Sequence, residues 1–166
     1  MDNGYDTTRP HKKDSYPNSY KESKIIEKKM KHPDLEYFTL TDKTPRTAFI
    51  NYLDSNGLEY DAQKLEDIIN DSYSMIIGMK KYYNRPRPFQ INKKIKPLVS
   101  KTASTPSYPS GHAFQSYLIA KHLSRKYPLH TFNFYSIANR VGRARVGAGL
   151  HYPSDNRKAF ELAHKL

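Results

Sequence analysis

Cysteine is absent from the 166 residues. That excludes a disulfide scaffold, a Cys-ligated zinc site and a thiol nucleophile. No apolar run approaches the ~18 residues that mark a membrane-spanning helix, which excludes a transmembrane segment. The opening Met1-Asp2-Asn3-Gly4-Tyr5-Asp6 carries no apolar stretch of the secretory type, so a cytoplasmic, soluble protein is expected. Internal repeats and strand-like period-two alternation are missing too. Hydrophobic residues make up 37% of the chain. That is below the usual globular share of about 45–50%, so much of the chain is expected in loops, tails or solvated helix. Acidic residues are scarce: 16 Asp+Glu face 28 Lys+Arg, a net charge of +12. Such an excess points to an anionic partner: a phosphorylated small molecule, a nucleic acid or a lipid surface. The plain alternative is a solvated basic face serving solubility. The length suits one domain with a real core.

Along the chain, residues 1–20 hold Pro10 and Pro17 among Ser, Thr and Asn, with almost no aliphatics. They read as a disordered or loosely attached arm, leaving 21–166 as the folded domain. A helical pattern starts near Glu22 with Ile25, Ile26 and Met30, and His32-Pro33-Asp34 breaks it. Leu35–Leu40 reads as a turn or a short extended piece. Thr44-Pro45 reads as an N-cap followed by Pro at the first helical position, and Asn56-Gly57 ends that helix. The clearest helix runs from near Asp61 to about Tyr83, where Asn84-Arg85-Pro86-Arg87-Pro88 stops it. Residues 89–109 form a long connection, of the kind that is usually functional or mobile. Further helices are expected from Ser110 to about Tyr127, from about Thr131 to Gly147, and from Asp155 to Leu166. The fold class is therefore all-α: a single-domain bundle of five to seven helices.

Three short segments carry chemistry. Lys80-x6-Arg87-Pro88 places a point charge and a bidentate fork at fixed spacing, both suited to phosphate oxygens. Arg85-Pro86 offers no such pair, because the position seven before Arg85 is Gly78. Pro109-Ser110-Gly111-His112 opens a helix, where unpaired N–H groups favour an anion and Gly111 permits close approach. A simple cap beside a surface histidine is the competing reading of that segment. Arg145-x5-His151-x3-Asp155 adds a third cation and a His–carboxylate pair. A carboxylate on one ring nitrogen fixes the tautomer and leaves the other nitrogen free as a nucleophile. With Pro153 between them, His151 and Asp155 meet only if the chain folds back.

Taken in order, the three segments resemble the signature of the type 2 phosphatidic acid phosphatase (PAP2) superfamily, which includes soluble acid phosphatases and vanadium haloperoxidases. Its pattern is K-x6-R-P, P-S-G-H and S-R-x5-H-x3-D. The resemblance covers about residues 60–160, and every position agrees except Ala144, where the family usually has Ser. It implies a helical bundle of the PAP2/haloperoxidase type. It implies a phosphatase in which His151 is the nucleophile, forming a phosphohistidine, and Asp155 orients it. His112 would be the general acid. Lys80, Arg87, Ser110, Gly111 and Arg145 would hold the phosphoryl oxygens. No metal and no cofactor are implied, and vanadate is expected as an inhibitor. The substrate class implied is a soluble phosphomonoester, or a lipid head group reached from the surface. The missing hydroxyl at Ala144 is expected to cost about 1 kcal/mol of support. The short C-terminal helix fits either a minimal core or one completed by a partner chain, and a homo-oligomer is compatible with it. Two alternatives stand beside this reading: a vanadium haloperoxidase with vanadate on His151, and a basic nucleic-acid-binding protein using its 14 tyrosines for stacking.

Overall fold

The computed structural model describes residues 12–166. Among them there are eight α-helices and no strands. In order they are α1 (Ser19–Lys29), α2 (Leu35–Thr41), α3 (Arg46–Ser55), α4 (Ala62–Tyr83), α5 (Pro88–Ile91), α6 (Gly111–Lys126), α7 (Thr131–Gly147) and α8 (Pro153–Lys165). Seven exceed a single turn, as an all-α bundle requires; α5 is one turn opened by Pro88. None of the described helices is long and apolar enough to cross a membrane.

Helix α6 is the central rod. It packs against α7 and α8 most extensively, and also against α4 and α3. Its buried residues include Ala113, Phe114, Tyr117, Ile119, Ala120 and Leu123, which together occupy more than one face. Around it close Phe49 and Leu53 of α3, Leu65 and Ile76 of α4, Phe134 and Ala138 of α7, and Ala159 and Ala163 of α8. Each fully buried Leu or Phe contributes roughly 1.5–3 kcal/mol, so this cluster anchors the end of α6 that begins at Ser110.

The structure corrects several boundaries. Leu35–Thr41 is a helix, not a turn or an extended piece. The Asp34 side chain caps it by accepting from Tyr37 N at 3.2 Å, and Tyr37, Phe38 and Thr41 are buried. The α3 N-cap is Pro45 rather than Thr44. Helix α8 starts at Pro153, two residues before Asp155. Of residues 1–20, read as a loose arm, 1–11 lie outside the described residues. The remainder is attached: Tyr16 is buried, Asn18 caps α1 by accepting from Lys21 N at 3.0 Å, and α1 begins at Ser19 rather than near Glu22. The connection after α5 is also tied down. Ile95, Ser107, Tyr108 and Ser110 are buried, Leu98 N donates to Ala148 O, and Ser107 N donates to Arg85 O, both at 2.9 Å.

Candidate active site

All three motif segments converge at the N-terminal end of α6. Helix α4 ends at Asn84, which adopts a left-handed conformation (φ 48°) and donates its N–H back to Lys80 O. Two prolines then hold Arg85 and Arg87 out of helical geometry. The chain consequently runs extended across the bundle, with both guanidinium groups fully buried. Helix α7 delivers Arg145 in its last turn. Gly149, at φ 79°, then reverses the chain. A Cβ there would stand 2.9 Å from Met30 Sδ, so only glycine fits without displacement. That reversal brings His151 back beside Arg87.

His151 and Asp155 do fold back onto one another. His151 Nδ1 lies 2.8 Å from Asp155 Oδ2. On the other side of the ring, Arg87 Nη1 lies 3.0 Å from Nε2. A guanidinium can only donate, so Nε2 must present its lone pair and Nδ1 must carry the proton toward Asp155. The tautomer with a bare Nε2 is thus fixed from both sides. Asp155 Oδ2 also accepts from Tyr152 N at 3.0 Å and from Ser107 Oγ, and Oδ1 accepts from Arg85 Nη1 at 2.8 Å.

In front of His151 stands a cation cluster. Lys80, Arg87 and Arg145 are all buried. Lys80 Nζ donates to Pro106 O at 2.7 Å, and Arg87 donates to Thr105 O and Leu150 O, each at 2.9 Å. Neither forms an ion pair among the described residues. Arg145 donates to Asp42 Oδ1 at 2.6 Å and to Ser100 and Thr102 hydroxyls, while its buried Nε has no partner among the described residues. Burial, reinforced by Arg87, holds Lys80 well below the ordinary lysine range. Burial and Arg145 pull Arg87 down to about 9. Burial followed by these same cations also lowers both imidazoles, His151 through Arg87 and His112 through Arg145. Buried charge without counter-charge is costly, and an anion beside these groups offsets that cost.

These side chains line one cavity of about 460 Å³, together with Gly111 and His112 and with Lys101, Thr102, Ser104 and Thr105 from the long connection. A larger groove of about 770 Å³ between α1, α7 and α8 contains none of the motif residues. His112 Nε2 is 2.8 Å from Asp42 O. A carbonyl only accepts, so Nε2 carries the proton and Nδ1 is the exchangeable site. Ser110 caps α6 by accepting from Ala113 N at 3.3 Å; it is fully buried and is not part of the cavity wall. No cluster of three or more His, Cys, Asp or Glu suited to a metal ion occurs among the described residues.

A family model described as the PAP2 superfamily matches residues 68–158. The chain belongs to the PAP2 superfamily. No curated protein matches it. Membership points to phosphatase-type chemistry, and the matched segment contains every motif residue from Lys80 to Asp155. In this PAP2 chain Ala144 does not face the cavity. It packs with Tyr37, Phe38, Ala48 and Val141 in an apolar cluster. The position that departs from the family pattern is therefore packed in an apolar cluster outside the cavity wall.

Sequence reasoning missed three charged residues here. Arg85 was set aside on spacing, yet it bonds Asp155. Glu22 and Asp42 lie outside the matched segment, and both reach the site from α1 and from the C-terminal cap of α2. The only available signal was the doubled Arg-Pro at 85–88; nothing local marked Glu22 or Asp42.

Proposed function

We propose that the protein is a metal-independent phosphomonoester hydrolase that works through a phosphohistidine. The observation that carries this reading is the buried Lys80–Arg87–Arg145 cluster in front of a histidine whose Nε2 lone pair faces it. The cluster supplies fixed donors for an equatorial phosphoryl group, and phosphoryl transfer depends mainly on such positioning and charge stabilisation.

The phosphoryl group binds among Lys80, Arg87, the bare Nε–H of Arg145 and the Gly111 backbone N–H, with Ser110 setting the start of α6. Its negative charge draws Arg87 Nη1 off His151 Nε2. Nε2 attacks phosphorus, the ester P–O bond breaks, and the leaving alkoxide takes a proton from His112. The phosphorylated ring is cationic, because Nδ1 keeps its proton, and Asp155 stabilises it. His112, now neutral, accepts a proton from water as the oxygen attacks phosphorus. The N–P bond breaks, phosphate leaves, and both histidines regain their starting state. The cations that lower both imidazoles are neutralised when phosphate binds, which raises His112 toward the range where it holds its proton.

The test is hydrolysis of p-nitrophenyl phosphate with EDTA present, for wild type and His151→Ala, with and without orthovanadate. We expect metal-independent turnover that requires His151 and is blocked by vanadate. No turnover in wild type, or full turnover in His151→Ala, overturns the proposal.

A further inference from the structure

Behind His151, on the side away from the cavity, lies a chain of buried charges that the motif does not contain. Arg85 is fully buried, and all five of its N–H donors have acceptors. Nε donates to Ser19 Oγ at 3.1 Å. Nη1 donates to Ser154 Oγ at 2.7 Å and Asp155 Oδ1 at 2.8 Å. Nη2 donates to Glu22 Oε2 at 3.0 Å and Pro17 O at 3.4 Å. The guanidinium stacks on Tyr152 at 3.6 Å and on Tyr16 at 4.3 Å. Glu22 is itself buried and accepts from Ser154 N and Ser154 Oγ, both at 2.7 Å.

We infer that Arg85 and Glu22 are positioning residues for the nucleophile: Arg85 aims Asp155 and keeps it ionised, and Glu22 sets how much of Arg85's charge Asp155 receives. The inference rests on the phosphatase reading for its kinetic arm. The geometry makes a series Glu22–Arg85–Asp155–His151 in which each member touches the next, so α1 is wired to the reacting nitrogen. The charges facing Asp155 come from every surrounding element. Lys80 on α4 and Arg85 and Arg87 beyond it are positive; His151, Tyr152 and Tyr108 are the other titratable neighbours; Glu22 on α1 acts through Arg85. Burial pushes the Asp155 carboxyl up, and Arg85 is the foremost influence opposing it.

The His151–Asp155 pair takes up protons as a unit. Removing a positive neighbour raises its proton affinity; removing a negative one lowers it. Arg85→Gln and Glu22→Gln should therefore move the acid limb of kcat/KM in opposite directions. For Arg85→Gln we expect a rise of about one pH unit and, below the limb, about tenfold lower activity. For Glu22→Gln we expect a smaller downward shift. KM and phosphate affinity should stay within about threefold of wild type, since neither side chain lines the cavity.

The second arm needs no turnover: 13C NMR titration of Asp155 and 15N NMR of His151, assigned with Asp155→Asn, in the same variants of the full chain. The resonances should shift in those same opposite directions. If wild type hydrolyses nothing but the titrations move oppositely, the phosphatase reading fails and this inference stands. Unchanged titrations and limbs in both variants, or shifts of one sign in both, overturn it. Should Arg85→Gln not fold, Arg85→Lys replaces it: the retained charge should keep the limb near wild type while Glu22→Gln still lowers it, and a Glu22→Gln limb that does not move overturns the proposal.

Discussion

Arg85 and Arg87 are two residues apart, equally buried and held by the same pair of prolines. Their surroundings differ in one respect. Arg85 meets two carboxylates, Glu22 and Asp155, while among the described residues Arg87 meets only carbonyl oxygens, a threonine hydroxyl and an imidazole lone pair. The first charge is already neutralised inside the protein; the second is left in want of an anion. The same contrast divides the whole site. Behind His151 the charges are paired and all five N–H donors of Arg85 are used. In front of it, Lys80 and Arg87 meet no carboxylate among the described residues, and Arg145, though paired with Asp42, keeps an Nε–H without a partner there. Burial alone therefore does not tell these two arginines apart; the partner set does.

That contrast breaks most sharply at the boundary residue. His151→Ala should reduce phosphatase turnover by more than about 10³-fold while phosphate binding persists. Stopped turnover with calorimetric phosphate binding near wild type is the expected pair of results. On the front face, Arg87→Ala should lower kcat/KM by about 10²–10³ and weaken phosphate binding as well. The rear residue Arg85 should show the converse split, with binding retained and the pH profile moved. If Arg87→Ala and Arg85→Gln gave the same phosphate affinity, the division into front and back would collapse.

Smaller effects sharpen the same division. Both imidazoles are held below their ordinary value, so the unfolded chain binds more protons than the folded one below about pH 6.5. Stability contributed by the site should thus fall as pH drops through that range, by about 2–3 kcal/mol near pH 5.5 for the two imidazoles together. Asp155, held above its ordinary value, acts with the opposite sign nearer pH 4 and above. Added phosphate should recover the loss, because it binds only the folded state. Thermal melts at pH 7.5 and 5.5, with and without phosphate, check both signs. The smallest change is Ala144→Ser. Its hydroxyl would enter the apolar cluster and bond back within α7, costing at most ~1 kcal/mol and leaving kcat/KM within about twofold of wild type.

Much of the front face was legible in the sequence because its residues sit in short, strictly spaced segments. Lys80, Arg87, Gly111, His112, Arg145 and His151 all sit in the segments that carry the family resemblance, and all line one cavity. The rear was not. Glu22 meets Arg85 across 63 positions, and Asp42 meets Arg145 across 103. Neither has a local pattern, since a buried acid on a lysine-rich helix looks like any solvated one until the packing is known. Helix α2 was misread for a related reason. Its seven residues are too few for a clear period, although Asp34 three positions before Tyr37 was a usable cap signal. The arm at 12–20 was read as loose for want of aliphatics; Tyr16 and Ser19 instead find their partner in Arg85, a contact that hydropathy does not register.

Asp42 uses its carboxylate on Arg145 and its carbonyl on His112, so a single residue holds both a cation and an imidazole of the cavity wall. On the proposed phosphatase reading, reshaping the α2–α3 corner to admit a bulkier alcohol would disturb both at once. Selections for altered leaving groups should accordingly return paired changes at that corner and at Ser100 or Thr102, the other supports of Arg145, rather than single substitutions.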